Sequence, residues 1–429
     1  MKKVLIITYY WPPTGGVGVQ RWLKFSKYLP EYGWEPIIYT PENPEMTIED
    51  HSNFKDVSDA LMVVKQPIWE PYDWYRKILG KKDEKIGAGL MSEGGKEGWG
   101  KKLAVWMRGN LFIPDPRKFW IKPSIKYLSQ YVSDNDINHV ITTGPPHSMH
   151  MIGLGLKRES GINWIADFRD PWTNIDFYKE LMLTGFADRI HRKKEKEVIK
   201  NADAVVTVGP SWAEDFKAQG AKQVEVIYNG FDKADFPSEP LPATSGFTVA
   251  HIGSFSKSRN HQALWEALSQ LRKENDAFDK DLKILTLGHV DGSVADSIKG
   301  FSLDDKWTRE EHVPRDQVLA FQRSSNVLLL MVNDTPNAKG ILPGKLFEYL
   351  ASGRPILCIG RTDGDSTRVI KDANCGKCVG PQDLEGVKKA LLELYDSRNM
   401  DQPYSNSIDA FSRQHLAGKL ADILNGMTN

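Results

Sequence analysis

Short apolar runs rich in Val, Ile and Leu recur along the chain, separated by stretches whose apolar positions return every three to four residues. The runs at 4–8, 35–39, 139–142, 164–166, 204–208 and 224–227 predict buried strands, and 20–31, 123–132 and 190–200 predict helices among them. A polar, proline-containing break at 233–245 precedes a second series. Its strands are predicted at 248–252, 282–287, 327–331 and 355–359, and its helices at 261–274, 315–324, 344–352 and 384–395. Residues 408–427 predict a last amphipathic helix. Continuous apolar strands alternating with helices imply α/β structure, with parallel sheets covered on both faces. Two such series imply two Rossmann-like domains facing a cleft, over 1–240 and 241–405, with a C-terminal helix in 406–429 that can cross back to the first domain. One segment breaks the rhythm: residues 75–110 are Lys- and Gly-rich and end in Trp99, Trp106 and Met107. This composition predicts a solvated insertion; the alternative is a basic, aromatic-tipped element resting on an anionic membrane or a lipid-linked acceptor.

At 429 residues the chain exceeds one ordinary core, in keeping with two domains. Its 56 basic and 56 acidic residues cancel, which argues against a general nucleic-acid binder. Three cysteines are too few for a disulfide framework and fit a reducing compartment. Cys375 and Cys378 form a C-x-x-C that reads as a loop, with no second pair or nearby histidine to complete a zinc set. The opening "MKKVLIITYYWPPTGG" reads as a first strand and its loop rather than a signal peptide, because Trp11-Pro12-Pro13 ends the apolar run early. No run approaches the ~18 apolar residues of a membrane helix. The expectation is a cytoplasmic protein, with peripheral contact at the inner face of a membrane tied to the insertion.

Parallel sheets bind ligands beyond the carboxyl ends of their strands. After the first strand, Gly15, Gly16 and Gly18 let backbone approach an anion at a helix start, although a tight turn alone explains them as well. After the 139–142 strand, His147 stands at a loop–helix junction. After 164–166 come Asp167, Arg169 and Asp170, which an internal ion pair would also explain. In the second series Gly253 allows a close turn, and Lys257 and Arg259 put two cations at a predicted helix start. Cations there oppose the macrodipole, a conflict that a bound anion removes. Gly344, Lys345 and Glu348 follow in "GILPGKLFEYLASGRPIL", where Pro343 suits the first turn and Gly353 the stop. Lys345 and Glu348 share one helix face; as a solvated pair they contribute a few tenths of a kcal/mol. As a site, Lys345 joins Arg259 on an anion while Glu348 accepts hydrogen bonds from a vicinal diol, as acidic residues do for ribose. Diphosphate with ribose means a nucleotide-activated ligand. Asp134-Asn135-Asp136 and Asp279-Lys280-Asp281 have the metal-binding D-x-D form but read as solvated turns, so no metal or other cofactor is expected.

These residues together resemble a glycosyltransferase of family 4, with the GT-B architecture of two facing Rossmann-like domains. The similarity runs along nearly the whole chain and is densest in "VLIITYYWPPTGGVGVQR", "VEVIYNGFDKADF", "VAHIGSFSKSRNHQALWEAL", "EEHVPRDQVLAFQRSSNVLLL" and "PGKLFEYLASGRPIL". Asn229-Gly230-Phe231-Asp232 looks like the family's N-G-V-D crossover. Glu348 matches the second glutamate of the E-x7-E motif, which binds the donor ribose. Gly340 stands where the first glutamate would. In the family's phosphate-binding stretch, Ser254 occupies the Arg position and Arg259 the Lys position, so Lys345, or else Lys257, is expected to supply the missing charge.

The resemblance implies a retaining, metal-independent transfer of a sugar from UDP-, GDP- or another nucleotide sugar to a saccharide or lipid-linked acceptor, in polysaccharide, lipopolysaccharide or glycoconjugate assembly. His147 is the first candidate to take the acceptor's proton and Asp170 the second, with the Gly15–Gly16–Gly18 loop facing the sugar and acceptor. The alternatives are a nucleotide-sugar epimerase of the same fold, or a non-catalytic binder suggested by Gly340 and Ser254. A dinucleotide oxidoreductase lacks its fingerprint glycines and their acidic partner.

Overall fold

The computed structural model describes residues 1–46, 48–71, 99–236, 245–311, 313, 315–335, 337–399 and 408–427. The chain divides into two compact units, Met1–Tyr228 with Arg413–Asn429, and Asn229–Ser412. Each is an α/β unit built on one parallel sheet.

The first unit holds seven strands: β1 (Lys2–Ile7), β2 (Trp34–Pro41), β3 (Met62–Gln66), β4 (His139–Gly144), β5 (Asn163–Phe168), β6 (Ala204–Thr207) and β7 (Val224–Val226). They lie in the order β3-β2-β1-β4-β5-β6-β7. The period of two explains why the runs read as continuously apolar. Leu5 and Ile7 enter one core with Val140, Trp164 and Ala166, while Val4 and Ile6 enter the other with Ile38, Ile141 and Ile165. The last helix, Arg413–Gly426, joins that second core through Leu416, Leu420 and Leu424, beside Val19 and Leu23.

The second unit holds β8 (Phe247–Ile252), β9 (Leu282–Leu287), β10 (Trp307–Glu310), β11 (Val327–Met331), β12 (Ile356–Ile359) and β13 (Gly376–Val379). Their order is β10-β9-β8-β11-β12-β13, again all parallel. Strand order reverses beside β8, the first strand of the series, so the crevice at its carboxyl end is where ligands are expected.

Several sequence expectations need correction. Cys375-x-x-Cys378 is not a loop: Gly376–Val379 is an edge strand, and Cys378 pairs in register with Cys358 of β12. Of the two D-x-D segments, Asp134-Asn135-Asp136 is a solvated turn, with both carboxylates exposed, and the second is not. Asp134 ends the helix Lys118–Asp134. Asp279 and Asp281 lie in the helix Asp276–Asp281, paired with Arg272 at 2.8 Å and Arg398 at 3.2 Å. Of the insertion at 75–110, residues 75–98 lie outside the described residues. Trp99–Asn110 is a helix that buries Ala104 and Met107 against Phe112. Among the described residues no helix is long and apolar enough to cross a membrane.

Candidate active site

In the second unit the expected donor residues gather at the carboxyl end of β8. The strand ends at Ile252, and Gly253 turns the chain in the left-handed region at φ 99°, which a residue without Cβ adopts freely. A Cβ built on Gly253 would stand 3.9 Å from the Lys345 Nζ. Lys345 opens the helix Lys345–Ser352, and its side chain reaches back to β8, where Nζ donates to the Ile252 carbonyl at 3.2 Å and lies 3.0 Å from the His251 Nε2. Burial of the ammonium, with Arg259 adding repulsion and Glu348 opposing it, pushes Lys345 well below the usual lysine range. Arg259 Nε donates to the Asn333 Oδ1 at 2.7 Å, which ties the guanidinium to the loop after β11. Gly344 is the residue before the helix, and Glu348 lies in its first turn, half-buried.

The expected conflict between cations and a helix dipole is corrected. Lys257–Arg259 is a separate 3-10 turn, and the helix begins later, at Gln262. Lys257 is exposed on that turn. Its field reaches Asp291, a carboxyl held low first by the Ser293 hydroxyl and amide and only then by Lys257. The structure thus brings together Gly253, Arg259 and Lys345. It sends Lys257 outward.

In the first unit the strand-end loops converge through Arg169. Its guanidinium donates to the Gly18 carbonyl at 3.0 Å and the Pro145 carbonyl at 2.6 Å, linking the start of the helix after β1 to the loops after β4 and β5. Gly15 donates its N–H to Ile48 O, and a Cβ on Gly15 would sit 2.9 Å from the Ile48 Cγ2. A Cβ on Gly18 would meet Tyr10 at 3.0 Å. Tight packing therefore accounts for these two glycines, while Gly16, at φ 90° before the helix Val17–Tyr28, needs its conformational freedom. Asp167 pairs with Arg21 of the helix Val17–Tyr28 at 2.9 Å rather than with Arg169, so an ion pair does explain it, but not one within this stretch. Asp170 is half-buried beyond β5.

His147 precedes the helix Ser148–Ser160 and stacks flat on Trp172, with ring centroids 5.0 Å apart. Trp172 is held by its own Nε1–H on the His191 Nδ1 at 3.0 Å. The three side chains line a pocket of about 110 Å³ with Tyr10, Tyr178 and Arg108. Burial, then His150 and Arg169, lowers the His147 imidazole well below the usual histidine range. His147 is therefore neutral at pH 7, and its Nδ1 is buried without a hydrogen-bond partner among the described residues.

Its neighbour His150 is pushed down to about 3, chiefly by burial. Its unfolded counterpart titrates near 6.5, so below that pH the unfolded chain binds a proton that the folded chain refuses. Stability therefore falls with pH through the window from 6.5 to about 3, and this one residue accounts for about 2 kcal/mol between pH 7 and pH 5. Urea midpoints at the two pH values are expected to differ less in His150→Gln than in the parent protein. Equal pH dependence would remove the assignment.

Sequence profiles match both units. The one described as Glycosyltransferase Family 4 matches residues 94–235, and the one described as Glycosyl transferases group 1 matches residues 246–397. No protein of curated function matches the sequence. Similar solved structures include sucrose-phosphate synthase from Thermosynechococcus elongatus, at 14% identity and TM-score 0.63, over 99% of this chain and 98% of that chain. HepE of Anabaena in complex with UDP is similar at 11% identity and TM-score 0.61, over 100% of both chains. WaaG, a glycosyltransferase involved in lipopolysaccharide biosynthesis, is similar at 13% identity and TM-score 0.55, over 99% of this chain and 100% of that chain. At these identities the likeness is one of fold.

Proposed function

Since the chain belongs to the glycosyltransferases of the family 4 type, with the GT-B fold, we propose that it moves a sugar from a nucleotide diphosphate sugar to an acceptor hydroxyl with retention of anomeric configuration. The observation that carries this reading is the convergence of Lys345 and Arg259 beside Gly253 at the carboxyl end of β8. Two cationic side chains there suit a diphosphate, whose charge grows as the glycosidic bond breaks. Groups already held in place stabilise that charge without reorganising, usually the largest contribution in such a transfer. No metal or other cofactor is assigned to this step. Glu348 accepts the ribose hydroxyls and positions the donor. His147 and Asp170 are the candidates for the acceptor's proton. The acceptor is a saccharide or a lipid-linked saccharide of polysaccharide, lipopolysaccharide or related glycoconjugate assembly, and peripheral membrane contact belongs to the same reading. HepE was solved with UDP, which makes UDP the first donor fragment to test.

Calorimetry with UDP and GDP tests the site. Glu348→Ala and Arg259→Ala are each expected to weaken binding by at least about tenfold, the loss of a hydrogen bond to a charged group, while melting normally. Unchanged affinity in both would remove the assignment. Gly340, buried in the 3-10 turn Ala338–Gly340, stands where the resemblance calls for an acid near the transferred sugar and favours the second reading, a non-catalytic nucleotide-sugar binder; a nucleotide-sugar epimerase of the same fold is the other alternative. Incubation with donor alone separates them: an epimerase converts the sugar without acceptor, a transferase slowly hydrolyses the donor, and a binder leaves it intact.

A further inference from the structure

β8 carries a histidine where its neighbours in the strand, Ala250 and Ile252, are apolar. His251 is fully buried, and its ring packs on Phe255 at a centroid distance of 4.1 Å. Its Nε2 has two polar neighbours, the Lys345 Nζ at 3.0 Å and the Ser254 carbonyl at 3.3 Å. One nitrogen cannot serve both in the same way. Protonated, Nε2 donates to Ser254 and has no lone pair for an ammonium. Unprotonated, it accepts from Lys345, and the ring proton sits on Nδ1. An ammonium has three N–H donors. With His251 and the Ile252 carbonyl taking two, the third has no partner among the described residues, and the missing side chain of Gly253 leaves it room. The Ile252 carbonyl is itself fixed, since the Tyr349 hydroxyl donates to it at 3.3 Å and accepts the Ile252 N–H at 3.0 Å.

We propose that His251 is a positioning residue of the donor site, whose Nε2 lone pair orients the Lys345 ammonium so that its remaining N–H faces a donor phosphate beside Gly253. The proposal rests on the reading of this crevice as the nucleotide site. The charged and titratable groups around the ammonium are His251 on β8, Arg259 on the turn that follows, and Glu348 and Tyr349 on the helix of Lys345 itself. Burial and Arg259 favour neutral Lys345, so phosphate affinity declines as pH rises and the ammonium is lost. An accepting imidazole delays that decline. Removing the acceptor moves it to lower pH.

The experiment is calorimetric titration with UDP across pH, on the full chain, with His251→Leu, His251→Gln, Lys345→Ala and the double variant His251→Leu/Lys345→Ala. His251→Leu is expected to raise the Kd for UDP about tenfold, as a hydrogen bond to a charged group is lost, and to shift the alkaline decline to lower pH. His251→Gln, whose amide oxygen accepts, regains most of the affinity and the original pH profile. In the Lys345→Ala background the leucine adds nothing, since its effect travels through the ammonium. Thermal melts accompany each titration. If leucine prevents folding, His251→Asn replaces it, polar but too short to reach Nζ. Parent-like affinity and pH profile in His251→Leu, alongside weak binding by Lys345→Ala, would overturn the positioning role alone. Equal losses from leucine with and without Lys345 would do the same. Parent-like binding by Lys345→Ala would overturn the donor-site reading and this proposal with it.

Discussion

Asp167→Ala is expected to destabilise the first unit by about 3–5 kcal/mol, the usual consequence of removing one partner from a buried ion pair. The carboxylate, at the end of β5, is fully buried. It accepts from the Arg21 Nη2 at 2.9 Å, the Trp22 Nε1 at 2.9 Å and the Thr143 hydroxyl at 2.9 Å. Arg21, equally enclosed, also donates its Nε to Asp167 at 3.2 Å and its Nη1 to the Ile227 and Tyr228 carbonyls, both at 2.9 Å. One carboxylate thus ties the helix Val17–Tyr28 to β4 and β5, and through Arg21 to the chain leaving β7. Alanine leaves a buried guanidinium with no counter-charge and strands the Trp22 and Thr143 donors. Replacing both partners, as Arg21→Met/Asp167→Leu, is expected to destabilise less than either single change, because no charge is left behind. Urea unfolding of the three variants measures this, and an unchanged midpoint in Asp167→Ala would refute it.

In the sequence, Asp167 could not be told from Asp170, three positions on in "DFRDPW". Its partner stands 146 residues earlier, and no local pattern announces such a pair. The same physics divides what was legible in the fold. β11, "VLLLM", is buried at every position, so both faces select apolar residues and the run stands out. β3, β10 and β13 lie at the sheet margins, only part-buried, and their sequences "MVVKQ", "WTRE" and "GKCV" carry no such run. The helix Ser148–Ser160 was legible only at its start, beside His147, because Gly153 and Gly155 sit inside it. Gly153 faces Trp164, where a Cβ would come within van der Waals overlap of the indole, so packing overrides helix propensity. Within the site, Lys345 and Glu348 were legible because helical spacing and the flanking Pro343 and Gly353 are local signals. His251 was not, since a single histidine in a strand acquires meaning only from a lysine 94 residues away.

That lysine carries the largest expected effect on turnover. Lys345→Ala is expected to lower kcat by about 10²–10³, the loss produced by removing one preorganised donor to a developing negative charge. The ammonium is held on the Ile252 carbonyl before any ligand arrives, so its orientation is not arranged during the reaction. Burial makes its field stronger than an exposed lysine's and also lowers its hold on the proton well below the usual lysine range, with Arg259 pushing the same way. A diphosphate reverses that balance. Where the free side chain is already deprotonated, donor binding must therefore take up a proton, and affinity must weaken as pH rises. Calorimetry of UDP binding in buffers of differing ionisation enthalpy reads that uptake directly, and Lys345→Ala should abolish it. Lys345→Arg is expected to restore little, since a planar fork cannot replace a compact ammonium beside Gly253. Turnover of Lys345→Ala at the parent rate, or proton uptake unchanged by it, would mean that the charge meeting the leaving diphosphate comes from elsewhere.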